Sequence, residues 1–157
     1  MDIKLFRRDN AVVEPTEKIL GLALHVCDEV IEDAKTGKKS LIGLFNRIVS
    51  ARFPCVHPKM HVFVSITGGR GRQQAELRCV NQSTRAVLLS TRGEIFFANP
   101  NAVIDVNFHL TNVNFPEPGT YSFEFLCEGE LVFDRLFLVL QSQGPPPPPP
   151  RQNQSRA

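Results

Sequence analysis

The stretch Pro118-Gly119-Thr120-Tyr121-Ser122-Phe123-Glu124-Phe125-Leu126-Cys127-Glu128-Gly129-Glu130-Leu131-Val132-Phe133 decides the fold. Pro116-Glu117-Pro118-Gly119 is a turn cluster. Tyr121, Phe123 and Phe125 then alternate with Ser122, Glu124 and Leu126. That period of two sends one set of side chains into a core and the other set out of it. Glu128-Gly129 makes a tight reversal, and Leu131, Phe133 and Leu136–Leu140 return as a closing strand. The stretch reads as a β-hairpin with an aromatic inner face.

Working outward, the same texture recurs. Leu20, Leu22, Leu24 and Val26 alternate with smaller or polar residues, Val30 and Ile31 extend the run, and Ala34–Lys39 is a turn around Gly37. Ser40–Ile48 is the next apolar run and completes a first hairpin. Pro54 and Pro58 fit no central strand. His61–Ile66, Ala75–Val80, Ala86–Ser90, Glu94–Ala98 and Val103–Leu110 are further strand candidates. Thr67-Gly68-Gly69-Arg70-Gly71-Arg72, Thr91-Arg92-Gly93 and Asn99-Pro100-Asn101 connect them. No stretch of helical length carries a 3.6-residue apolar period without breakers. Short β-rich runs with turns at such intervals predict an all-β fold, an antiparallel β-sandwich of the immunoglobulin-like or related Greek-key kind.

The chain has 157 residues, 42% apolar and 22% charged, the size and composition of one folded domain. No window is apolar enough to span a membrane. The expected organisation is a lead-in over 1–18, a sandwich over 19–143 and a disordered polyproline tail over 144–157, with six prolines at 145–150. Pro146-x-x-Pro149-x-Arg151 fits a docking pattern that any proline run before arginine would fit. The N-terminus lacks the apolar core of a leader, which places the expectation in the cytoplasm.

Charge is segregated along the sequence. Residues 35–92 carry eleven Lys/Arg and the single acid Glu76, whereas 93–144 carry seven acids and the single base Arg135. Interleaving of strands from the two blocks would neutralise them. Cys27, Cys55, Cys79 and Cys127 form no close pair, so no zinc site is indicated. Cys27, Cys79 and Cys127 lie in apolar runs and read as core residues.

Cys27-Asp28-Glu29-Val30, Thr36-Gly37-Lys38 and Leu41-Ile42-Gly43-Leu44-Phe45 resemble the opening hairpin of a family of small bacterial proteins catalogued as a domain of unknown function. Pro118-Gly119-Thr120-Tyr121-Ser122-Phe123 with Gly129-Glu130 resembles its closing hairpin. The resemblance covers about 19–141 and implies a compact β-sandwich. It implies no reaction, cofactor or catalytic residue. The Pro-Gly-Thr-Tyr element is also similar to the last hairpin of many immunoglobulin-like domains, where a tyrosine hydroxyl pins the corner beside it.

Gly68-Gly69-Arg70-Gly71-Arg72, in the position of a hairpin connection, is the best candidate for an anion or partner contact. Its backbone amides would be assisted by the two guanidinium groups. It lacks the spacing and the following helix of a phosphate loop. Asp28 and Lys38 are weaker candidates in the first hairpin, with a structural hydrogen bond to turn backbone expected of Asp28. His25 and Asp28 would stand on opposite faces of a regular strand. His57 and His61 would share a face but sit roughly 13 Å apart, too far for one metal ion. Arginines near Phe63 and Phe96 could suggest nucleic acid, but the phenylalanines alternate as core residues, which argues against it. No nucleophile elbow or catalytic cysteine–histidine pair is indicated.

The sequence therefore predicts a non-catalytic module that binds another protein and uses no cofactor, metal, membrane or nucleic acid. Two alternatives stay open. One is a small-molecule or anion binder with a hydrolytic step. The other is a homo-oligomeric component joined through an edge strand.

Overall fold

A computed structural model describes residues 18–144. It contains nine strands: β1 (Leu20–Glu32), β2 (Lys39–Leu44), β3 (Arg47–Ser50), β4 (Cys55–Thr67), β5 (Gly71–Asn81), β6 (Val87–Phe97), β7 (Ile104–Phe115), β8 (Gly119–Cys127) and β9 (Glu130–Gln141). They form a four-stranded sheet, β2-β1-β4-β7, and a five-stranded sheet, β3-β9-β8-β5-β6. The fold is the β-sandwich that the alternation predicts. The lead-in and the polyproline tail lie outside the described residues.

The two inner faces make the core. Leu24, Val26, Met60, Val62, Val64 and Ile66 come from one sheet, and Leu77, Phe97, Tyr121, Phe123, Phe125, Phe137 and Val139 from the other. Phe123 meets Phe137 edge-on at 5.4 Å, and Phe115 meets Tyr121 edge-on at 5.2 Å. Edge-on contact sets the positive rim of one ring against the negative face of the other. The Tyr121 hydroxyl donates to the Glu117 carbonyl at 2.7 Å, the corner pin that the closing hairpin predicts.

Several local readings need correction. The run Ser40–Ile48 is not one strand. It breaks at Phe45-Asn46, where the backbone leaves one sheet for the other. The resulting β3 pairs with β9 in parallel, so the sandwich is not wholly antiparallel. Ala86–Ser90 and Glu94–Ala98 are not two strands but one, β6, which passes through Gly93 opposite Ala75. Pro58 lies inside β4. Its missing N–H is tolerated because β1 pairs with β4 only as far as Cys27↔His61, and Asn112 across from it on β7 takes φ 51°.

The β1–β2 hairpin bends. In register, Asp105 of β7 is level with Ser65 and Ala23, while Lys39 is level with Glu32 at the far end of β1. On a flat sheet those levels would lie roughly 30 Å apart. The Lys39 ammonium nevertheless lies 4.0 Å from the Asp105 carboxylate. The outer half of the hairpin therefore folds back over the outward face of its own sheet, which explains why Cys27 and His61, both on that face, are buried. The bend falls at Gly43, with φ 67°, where a side chain would collide with the Asp28 carboxylate opposite.

Ion pairs join the oppositely charged sequence blocks. Arg72–Glu94, Arg78–Glu124, Arg85–Glu124 and Lys39–Asp105 each take one partner from 35–92 and one from 93–144. Interleaved strands thus mix the two blocks.

Candidate functional site

The glycine-rich segment turns out to be a crossover. β4 and β5 belong to different sheets, so Gly68–Arg70 spans the sandwich rather than closing a hairpin, and Gly71 and Arg72 already belong to β5. Gly68 and Gly69 answer to packing. A side chain at Gly69 would strike the Phe97 ring at 2.5 Å, and the Gly68 N–H is taken by the Pro100 carbonyl at 3.0 Å. Arg72 pairs with Glu94 at 2.8 Å, and the Arg70 carbonyl accepts from the Gln73 amide at 3.0 Å.

Asp28 does not join that loop: Leu20 lies level with Thr67, so the loop is at the start of β1, while Asp28 is towards its other end. Lys38 lies in the β1–β2 turn, its carbonyl accepting from the Asp33 N–H at 2.9 Å. The backbone-capping role expected of Asp28 belongs to Asp33. The Asp33 carboxylate accepts from the Lys35 N–H at 2.8 Å and from the Thr36 N–H at 2.9 Å. These bonds hold its pKa below the usual carboxylate value.

Asp28 instead belongs to a site that its sequence neighbours do not reveal, around the crossover from β2 to β3. Leu44-Phe45-Asn46 bridges the open side of the sandwich and is stapled to both sheets. The Phe45 N–H donates to the Val26 carbonyl at 3.0 Å, and the Asn46 carbonyl accepts from the Leu138 N–H at 3.0 Å. The Phe45 ring lies 5.6 Å from the His57 ring and 5.7 Å from the Phe137 ring. Leu44 and Phe45 form a wall shared by two cavities.

The first cavity, about 230 Å³, is lined by His25, Val26, Leu44, Phe45, Asn46 and Arg135. Arg135 stands opposite Phe123 in the β8–β9 register, hence on the inward side of β9. Its guanidinium donates to the Leu24 carbonyl at 3.1 Å. The second cavity, about 390 Å³, is lined by Asp28, Gly43, Arg47 and His57 with Leu44, Phe45, Ile48 and Val49. His25 and Asp28 thus line different cavities. One sequence signal marked Arg135: it interrupts the inward set Phe133, Phe137 and Val139.

His61, four residues on from His57, does not share the cavity. It stacks on His109 of β7 with ring centroids 4.6 Å apart, and its Nδ1 lies 3.0 Å from the Asn107 side-chain oxygen. Among the described residues no three His, Cys, Asp or Glu side chains gather to hold a metal ion. Cys79 and Cys127 are buried free thiols of the core, the placement their sequence context predicts, whereas Cys27 is a free thiol buried on the outward face, outside that core. Burial pushes the Cys79 thiol up to about 12 and that of Cys127 up to about 11. The Cys27 thiol is raised by the same cause. Thiols so shifted are protonated near neutrality and poor nucleophiles. Among the described residues no helix is long and apolar enough to cross a membrane.

The chain belongs to a family of unknown function, DUF6941, whose model matches residues 22–139. No curated protein matches it. Among solved structures, the Pseudomonas fluorescens alkylpurine DNA glycosylase AlkC, bound to DNA containing an abasic-site analogue, is similar with a TM-score of 0.43 at 6% identity. That likeness covers 74% of this chain, which spans only 30% of the glycosylase. The sensor domain of the anti-sigma factor RsgI4 of Pseudobacteroides cellulosolvens gives 0.36 at 11% identity over 78% of this chain and 95% of that one. A β-glucosidase from Listeria innocua, in complex with isofagomine, gives 0.37 at 14% identity over 80% of this chain and 16% of that one. Likeness at this level carries no role across.

Proposed function

We propose that this protein is a non-catalytic, cytoplasmic protein-binding module whose contact surface is the outward face of β9 and β3. One observation carries the reading. Leu136, Leu138 and Leu140, at 58%, 40% and 39% exposure, stand in a row on β9, and Val49 at 56% is the register partner of Leu140 on β3. Isolated exposed leucines need no explanation, but a contiguous apolar row on a sheet face favours a partner. Arg47, register partner of Leu138, adds a cation at its border. The protonated core thiols support a role without nucleophilic cysteine chemistry. Four free cysteines fit a reducing compartment.

The test compares the intact protein with a Leu136→Ser/Leu140→Ser variant whose fold is verified by circular dichroism, as baits in lysate of the source organism and in sedimentation. A protein retained by the parent and lost by the variant supports the reading. The same protein retained by both moves the surface elsewhere. A concentration-dependent mass abolished by the variant replaces the reading with self-association through this face.

A further inference from the structure

We infer that the cavity between His25, Asn46 and Arg135 is a binding site for a carboxylate group. Arg135 and Asn46, whose side chains can both donate hydrogen bonds, are among the residues that line it, and no acidic residue does. Arg135 is held in place by its bond to the Leu24 carbonyl, which uses one of its five N–H groups. On the neighbouring sheet face, Arg72, Arg78, Arg85 and Arg92 are all paired with carboxylates. Among the described residues no carboxylate forms an ion pair with Arg135. An oriented guanidinium fork facing a cavity without its own anion matches a carboxylate in shape and charge.

Size and charge narrow the class. About 230 Å³ lies below the roughly 300–1,000 Å³ of cofactor sites, so the cavity takes one functional group and its immediate substituent. One arginine balances one negative charge, which suits a carboxylate better than the nearly doubly charged phosphate. Val26, Leu44 and Phe45 supply apolar walls, so the group is expected to carry an apolar substituent. The carboxyl terminus of a peptide and a free aliphatic acid both present that chemistry.

The experiment needs no protein partner, so its outcome is independent of the Leu136–Leu140 face. Side-chain and backbone NMR spectra of the full-length protein are titrated with N-acetylphenylalanine, its C-terminal amide, hexanoate and inorganic phosphate, against sodium chloride at equal ionic strength. Saturable shifts confined to His25, Asn46 and Arg135 with the two carboxylates, absent with the amide, support the site. Preference for N-acetylphenylalanine assigns it to a peptide carboxyl terminus, and preference for hexanoate to a small acid. Arg135→Gln is expected to weaken binding at least tenfold. Arg135→Lys, which keeps the charge but not the fork, should retain part of the affinity. Tighter binding of phosphate, equal binding of the amide, shifts that track ionic strength, or unchanged affinity in folded Arg135→Gln would each overturn it.

Discussion

The Glu124 carboxylate lies 2.8 Å from the Arg78 guanidinium on the outward face of the five-stranded sheet, and yet its side chain is only 6% exposed. Arg85, at φ 61°, closes on it from the other side at 3.4 Å. Two neighbouring polar atoms, Arg78 Nε and Ser122 Oγ, are buried without a partner. The ion pair thus sits in a poorly solvated spot, where removing one charge strands the other. Glu124→Gln should lower stability by about 1.5 kcal/mol in a urea melt, because Arg78, 31% exposed, keeps part of its hydration. Arg85→Ala, removing the more exposed partner, should cost less than about 1 kcal/mol.

Gly43 and Asp28 should be coupled. Gly43→Ala brings a methyl group into the Asp28 carboxylate at a left-handed backbone position and is expected to cost about 2 kcal/mol. Asp28→Ala removes the collision but not the backbone strain. The double variant should therefore recover part of the loss, and a double-mutant cycle by thermal melting measures the coupling. Strictly additive losses would contradict the packing described at the bend.

Tyr121→Phe deletes only the hydroxyl that donates to the Glu117 carbonyl. The ring contact with Phe115 survives. A loss of about 1 kcal/mol is expected, with an unchanged m-value, because the fold and its buried area stay the same.

Stability should fall on the alkaline side. Burial raises the Cys79 thiol from 9.0 to about 12 and the Cys127 thiol from 9.0 to about 11. In the unfolded protein these thiols lose their protons first. Their contribution is therefore fully present below about pH 9 and is lost as the pH climbs through 11 and 12. Melting temperature measured from pH 8 to 11 should fall less steeply for Cys79→Ala than for the parent, whatever the offset between them.

Arg72→Glu tests the loop candidate without threatening the fold. Its partner Glu94 is an exposed neighbour across β5 and β6, so reversal should cost less than about 1 kcal/mol. A variant that remains folded but loses a partner kept by the parent would assign binding to the Gly68–Arg72 crossover rather than to β9. Retention of that partner would release the arginine for a purely local role.

Much of the fold was legible because alternation reports burial directly. Tyr121, Phe123 and Phe125 read as inward and are inward. Alternation does not report sheet membership. Ser40–Ile48 looks like one strand because each half is locally extended. Only the long-range pairing of Arg47–Ser50 with Leu138–Gln141 divides it. The crossover site was hidden for the same reason. His25, Phe45 and Arg135 come from three separate segments and meet only when the sheets stack. Asp28 was singled out through the opening-hairpin resemblance, but its surroundings, Arg47 and His57, were not. The packing role of Gly69 was not legible either, because a glycine that admits the Phe97 ring looks the same in sequence as one that cradles an anion.

The parallel seam between β3 and β9 has a consequence for how the protein reaches this state. Arg47 finds Leu138 only after nearly the whole domain has been synthesised. Until then β3 has no strand beside it, and Ile48 has no Val139 to lie against. Contacts of such long sequence separation close late and slow folding. A polypeptide stalled or clipped before Leu138 would lose two strands rather than one, leaving the Phe45 crossover tethered to β1 alone. The ninth strand is thus the clasp for a segment made far ahead of it.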